Sequence, residues 1–411
     1  MSNKKILIKN TFWLGAIEFF SKILMFLVTI GLVRYWGAEE FGAFNLSFAY
    51  VALFIIFADF GLTTIVTREV AKHKDLTEKY LNNLIGLKLI LSAVIIILFV
   101  ISFLFINNPT SIQLLIVTLI YCLAQNFQNI FITIFQAWEK MEMVFINRVL
   151  FYVGLLLTAI LTITFHGKAI HLVAGYTLVT ILTIIIGIYQ TSLLKIKTKI
   201  EFDFNFCKRL IIESLPLLGM TIATVIYLNN DTLFIGRYLG NTQVGFYQTA
   251  YKILFAFQSI NFINYAVFPR ITVLSHENNH QTVNKLIKII LLLSLIGLIP
   301  LAVFIDWQQQ LIVKLIYGSS FLISSKVMSL LVWSGVVNYF RNFIGNLLVI
   351  KNNQKIVFWA VSIGALTNLV INYFLIPKNG FIQGGWSLII SELLILIIMI
   401  IGLRKQNPSQ S

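Results

Sequence analysis

Apolar residues run in stretches of about twenty along nearly the whole chain, broken by short polar segments. Stretches of that length suit α-helices crossing roughly 30 Å of hydrocarbon, whereas barrel strands would alternate polar and apolar over about ten residues. The pattern predicts about twelve transmembrane helices, near residues 10–36, 42–70, 80–106, 112–138, 146–165, 170–194, 210–237, 243–270, 283–306, 326–350, 355–376 and 382–404. The first span follows Lys4, Lys5 and Lys9 but is too long for a signal-peptide core, so it is expected to remain as a helix.

The spans repeat. Arg34-Tyr35-Trp36-Gly37 with Gly42 and Phe44 returns 203 residues later as Arg237-Tyr238-Leu239-Gly240 with Gly245 and Tyr247. In both copies the motif joins the first and second spans of a half. Six crossings per half is even, so the halves have the same orientation, the parallel-repeat class. The expected fold class is an all-α membrane protein with two parallel six-helix halves, 1–197 and 198–411, around a central cavity. The glycines suit a tight turn, and Tyr35 and Trp36 suit the membrane interface. Arg34 and Arg237 read either as interfacial anchors or as residues at the outer mouth of the cavity.

Composition agrees with the pattern: of 411 residues 58% are hydrophobic and 11% charged, where soluble domains carry roughly a quarter charged. The net charge of +15 would suggest nucleic acid in a soluble protein, but the basic residues fall on alternate loops. With both termini cytoplasmic, 21 of the 31 Lys and Arg lie on inside segments and 6 outside. The densest inside segment is the linker carrying Lys195, Lys197, Lys199, Lys208 and Arg209. Topology thus accounts for the charge, and no nucleic-acid partner is expected.

Ionisable residues within spans cost about 2.5–3.5 kcal/mol each and usually face a cavity or a partner. They are Glu18, Lys22, Asp59, Lys88, Asp231, Lys252, Arg341 and Glu392, four of each sign. Glu18 and Lys22 share a helix face and can pair. None has a charged counterpart at the 203-residue offset: Lys22 maps to Val225, Asp59 to Phe262, Asp231 to Val28 and Lys252 to Ala49. Such asymmetry suits a site for an asymmetric substrate, led by the deep Lys22, Asp59 and Lys252. The plainer reading is that Lys88 snorkels inward and the others pair across helices as glue. Carboxylates kept neutral by burial would leave a positive surplus able to hold a phosphate or diphosphate, or could carry a coupling proton.

No Walker pattern occurs, the five histidines sit near loop ends, and Cys122 and Cys207 form no disulfide framework or metal cluster. No catalytic residues, metal or cofactor are expected, and no enzyme activity.

Several fragments, in order, resemble the Wzx-type polysaccharide-lipid flippases of the multidrug/oligosaccharidyl-lipid/polysaccharide exporter superfamily. They are Lys9-Asn10-Thr11, Glu40-Phe41-Gly42 with Phe44, Asp59-Phe60-Gly61, Gly245-Phe246-Tyr247, Phe268-Pro269-Arg270-Ile271 and Ser391-Glu392. The resemblance implies a bacterial inner-membrane carrier that moves an undecaprenyl-diphosphate-linked oligosaccharide, an O-antigen or capsule unit, by alternating access. It implies membrane lipid around the substrate's tail, a proton or sodium ion as possible coupling partner, and a polysaccharide polymerase and chain-length regulator as possible protein partners. Basic residues in the first half of the cavity are common in the group, a place Lys22 and Lys88 could fill. The neutral tally of membrane charges departs from that pattern. A multidrug exporter of the same superfamily is the alternative, with Glu18 or Asp59 as its acidic site. A membrane polysaccharide polymerase is a lesser one, since the longest outside segment, 307–325, is short.

Overall fold

The computed structural model describes residues 3–104, 111–276 and 280–404. Side chains of residues 3–12, 14, 16, 18, 19, 220, 262, 263, 265, 266, 269, 270, 276 and 280 lie outside the description. Among the described residues all regular structure is helical. In order the helices are α1 (Asn3–Asp59), α2 (Leu62–Lys72), α3 (Thr77–Ser102), α4 (Ile112–Ala137), α5 (Met141–Thr164), α6 (Ala169–Leu193) and α7 (Phe204–Leu239). There follow α8 (Asn241–Gln258), α9 (Phe262–His276), α10 (His280–Trp307), α11 (Gln309–Tyr317), α12 (Ser325–Ile350), α13 (Gln354–Asn379) and α14 (Ile382–Arg404).

Among the described residues nine helices are long and apolar enough to cross a membrane, ten when the two parts of α7, bent by 43°, count as one. The twelve expected spans differ from this for two reasons. The first two run together in α1, which turns at Gly37 without ending. The span expected at 243–270 is divided into α8 and α9 by a short 3-10 turn at Ser259–Asn261. The span expected at 42–70 is likewise broken, by Phe60 and Gly61 at φ 53° and 79°. The bend of α7 follows Pro216, which removes a helical hydrogen bond.

The repeat is visible in the backbone. Gly37 (φ 72°, ψ −171°) and Gly240 (φ 84°, ψ 176°) occupy the same region, one essentially reserved for glycine. In the first copy the turn is fastened from outside: Trp36 Nε1 donates to Gly167 O at 2.9 Å, and Ala169 N donates to Glu40 Oε1 at 2.7 Å. Further along, the register of the repeat changes. The turns after α4 and α12 match at Glu139 (φ 56°) and Asn352 (φ 59°), with Lys140 N donating to Phe135 O and Asn353 N to Leu348 O. That pair is separated by 213 residues, because the second half inserts α11 and a 3-10 turn at Ser319–Ser324. The outside segment expected as a loop at 307–325 is therefore folded.

By compactness the chain divides into Met1–Asn229 and Asn230–Ser411, a division inside α7, whereas the sequence repeat points to 197/198. The first unit has two cores. One joins Val28 and Leu32 to α4, α5 and α6 through Phe151, Leu155, Leu172 and Tyr176. The other joins α2, α3 and α4 to the start of α7 through Leu62, Leu84, Phe135 and Leu210. In the second unit Ile271, Ile290 and Phe343 tie α9, α10 and α12, and Leu348, Ala360, Ile395 and Met399 tie α12, α13 and α14. Lipid tails are as apolar as these side chains, so close packing, not the hydrophobic effect, holds helices together here. Gly187 illustrates it: an added Cβ would lie 2.8 Å from the Phe131 ring, so α6 meets α4 only because the position has no side chain.

The linker from Leu194 to Asp203 is fastened along the start of α3. Lys197 N donates to Glu78 Oε1 at 2.9 Å, Lys199 N to Asn82 Oδ1 at 2.9 Å, Glu201 N to Asn82 O at 3.3 Å and Asp203 N to Asn83 Oδ1 at 2.6 Å. Every second amide is used, which is the spacing of an extended chain.

Candidate functional site

Two of the charges that the apolar pattern makes expensive are brought together in the first unit. Asp59 ends α1 just before the Phe60-Gly61 break, and Lys88 lies just before the middle of α3. Lys88 Nζ donates to Asp59 Oδ1 at 2.8 Å, to Asn126 Oδ1 at 2.5 Å and to Asn126 O at 3.2 Å. The Lys88 side chain is 0% exposed and that of Asp59 33%, so the ammonium is enclosed while the carboxylate keeps an open side. Thr63 Oγ1, one turn beyond the break, donates to Asp59 Oδ2 at 2.9 Å. Lys88 therefore does not snorkel; it is charge-compensated at depth. Asn126 Nδ2 is buried with no hydrogen-bond partner among the described residues.

The second unit holds its own pair. Arg341 Nε on α12 lies 2.9 Å from Glu392 Oε2 on α14, with side chains 14% and 3% exposed. Neither atom is aligned for a hydrogen bond, so the contact is held by charge. Asn338 Nδ2 donates to Glu392 Oε1 at 3.1 Å, Arg341 Nη2 to Asn342 Oδ1 at 3.1 Å and Asn342 Nδ2 to Asn338 Oδ1 at 3.0 Å. Asn261 and Asn264, at the α8–α9 break, extend this amide cluster.

Asp231, near the end of α7, is 2% exposed and has no basic partner at hydrogen-bond distance among the described residues. It accepts from Tyr247 OH at 2.7 Å and from Asn372 Nδ2, while Asn372 also donates to Asn230 Oδ1 at 2.5 Å and Asn230 Nδ2 to Asn368 Oδ1 at 2.6 Å. Repeated donation to one carboxylate is what a buried Asp needs. The remaining candidates are separate. Lys252 on α8 is half-buried and has no hydrogen-bond or ion-pair partner among the described residues. Lys22, Arg34 and Arg237 are exposed on the protein's surface. Glu18 lies outside the described side chains, so its expected pairing with Lys22 does too.

Four of the eight thus pair across helices, Asp59 with Lys88 and Arg341 with Glu392. The asymmetry between halves holds in the corrected register, where Gln128 answers Arg341, Val179 answers Glu392 and Leu291 answers Lys88. A search for charge passed over Asn126, Asn338, Asn342, Asn368 and Asn372. Their signal was present, since Asn338 with Asn342 and Asn368 with Asn372 are amide pairs one helical turn apart in apolar spans. No group of three metal-ligating side chains occurs among the described residues.

Helix after helix of membrane-crossing length, with two ion pairs between them, defines a polytopic membrane transporter fold. The match to solved structures establishes that fold: lipid II flippase MurJ in its inward closed conformation aligns with TM-score 0.80 at 18% identity, over 95% of this chain and 87% of that one. An inward-facing multidrug resistance transporter of the MATE family aligns with TM-score 0.69 at 14% identity, over 95% and 96%. The chain belongs to the polysaccharide biosynthesis protein family, which matches residues 7–275. The MatE family matches residues 216–374. Among relatives, Agl15 of Haloferax volcanii, named as a flippase of low-salt glycan biosynthesis, is 25% identical over 93% of this chain and 78% of its own length. A protein of Escherichia coli K12 named as an O-antigen transporter is 24% identical over 99% of both.

Proposed function

We propose that this protein is a flippase that carries an undecaprenyl-diphosphate-linked oligosaccharide, an O-antigen or capsule repeat unit, across the bacterial inner membrane by alternating access. Family membership and the flippase and O-antigen names of its relatives support the reading. The observation that carries the site is the enclosed Lys88 ammonium held by a half-open Asp59. A diphosphate approaching Asp59 from its open side would compete with the carboxylate for Lys88, so the pair would open when the anion arrives and close when it leaves. In the same reading Arg341 and Glu392 form the second half's own charged element, Asp231 and Lys252 contribute from α7 and α8, and Glu18 and Lys22 contribute from the first span. Arg34 and Arg237 sit at the outer mouth, and a proton or sodium ion drives the cycle. Both termini are cytoplasmic, the halves are 1–197 and 198–411, and a polymerase and a chain-length regulator receive the product. No chemical bond is made or broken, so the protein acts as a carrier and not as an enzyme.

The test is leaflet exposure of lipid-linked oligosaccharide in proteoliposomes, read by an external glycan-cleaving enzyme. Protein-dependent exposure that is lost in Lys88→Met is expected. No exposure with several matched glycans would overturn the proposal. The MatE match over residues 216–374 favours drug export as the second reading, which predicts altered drug tolerance with intact surface glycan on deletion.

A further inference from the structure

The linker between α6 and α7 is held in a way that a simple tether does not need. Its amides at 197, 199, 201 and 203 are all consumed by α3. The Glu201 carbonyl lies directly over Gly86, where a Cβ would collide with it. Gly86 is inside the apolar part of α3, less than a turn before the exposed Leu89 and Ile90. The linker therefore runs alongside the apolar outer face of α3.

What it shows outward has two parts. Ile200 and Phe202, spaced two apart and so on one face of the extended chain, are 70% and 46% exposed, and Phe204, which opens α7, is 66% exposed. Around them Lys195, Lys197, Lys199 and Lys208 are exposed as well. The nearby acids are engaged within the protein: Glu201 Oε1 accepts from Asn82 Nδ2 at 3.2 Å, Asp203 Oδ1 from Phe206 N at 3.1 Å, and Glu213 Oε1 from Arg209 Nε at 2.8 Å. An apolar row ringed by uncommitted ammonium groups complements an anionic lipid surface.

We propose that residues 194–208 form a lipid-binding strap. Ile200, Phe202 and Phe204 insert at the acyl boundary, and the four lysines hold the phosphates of anionic phospholipid in the adjoining leaflet. The backbone bonds to α3 keep the strap in place, so the lipid is recruited to a preformed surface and does not have to order it. The inference is independent of what the protein transports.

The full-length protein in lipid nanodiscs tests it. Cys207 is buried and Cys122 half-buried, so a thiol introduced by Phe202→Cys takes an environment-sensitive fluorophore selectively. Quenching by shallow nitroxide phosphatidylglycerol is expected to exceed quenching by the phosphatidylcholine analogue, each lysine at such a surface being worth about a fivefold preference at most. Lys195→Gln, Lys197→Gln and Lys199→Gln together leave every backbone bond of the strap intact. They are expected to reduce the phosphatidylglycerol preference to the roughly fivefold at most that Lys208 alone can supply, without lowering the unfolding temperature. A fluorophore quenched by aqueous iodide and by neither lipid, or a lipid preference unchanged in the triple variant, overturns the proposal.

Discussion

Breaking the Lys88–Asp59 pair from its two ends should have unequal consequences. Asp59→Ala leaves an enclosed ammonium with only the two oxygens of Asn126, at 2.5 and 3.2 Å. Removing one partner of a buried ion pair costs about 3–5 kcal/mol, and the surviving Asn126 contacts place this case near the lower end. Lys88→Met leaves a carboxylate that is 33% exposed and still receives the Thr63 hydroxyl, so its loss is expected at about 1–2 kcal/mol. A unit of this size shifts by about 2–4 °C per kcal/mol, so unfolding followed by intrinsic fluorescence in detergent should fall about 6–12 °C for Asp59→Ala and about 2–8 °C for Lys88→Met. The double variant should recover most of the difference, giving a coupling energy of about 2 kcal/mol. Additive single effects, or the larger loss from Lys88→Met, would refute the reasoning. Flipping measured on the same three proteins separates structure from function: a double variant that is stable yet inactive assigns the charges to transport, and one that is stable and active assigns them to packing.

Tyr247→Phe deletes the hydroxyl that donates to buried Asp231 at 2.7 Å, and a loss of about 1.5–3 kcal/mol in thermal unfolding is expected, no loss being the contrary result. Gly37 and Gly297 both have nothing within 4 Å of an added Cβ, but only Gly37 has φ at 72°. Gly37→Ala should therefore cost about 1–3 kcal/mol while Gly297→Ala, in the ordinary helix α10, is neutral or stabilising by up to about 1 kcal/mol. Equal effects would sink that account.

Much of the fold was legible because lipid imposes one length on every span, and the run of apolar residues reports it directly. The helix breaks were not. Ala58-Asp59-Phe60-Gly61 is apolar enough to be read through, and its single glycine and aspartate do not announce that α1 stops there. The shift of the repeat from 203 to 213 was hidden because the inserted α11, with Leu311, Ile312 and Val313, resembles loop and span at once. For the site, hydropathy identifies which residues are expensive to bury but not which helices are neighbours. Asp59 and Lys88 are 29 positions apart, and Arg341 and Glu392 are on helices separated by α13, so neither pair has a local spacing to betray it. The amides stayed out of view because they carry no formal charge.

Counted in the corrected register, the two ion pairs do not correspond. The first joins the second and third spans of its half, and the second joins the fourth and sixth of its own. An ancestor bearing one half per polypeptide and working as a homodimer would have carried either pair twice or not at all. A tandem chimera of two first halves would duplicate Lys88–Asp59 and contain nothing in place of Arg341–Glu392.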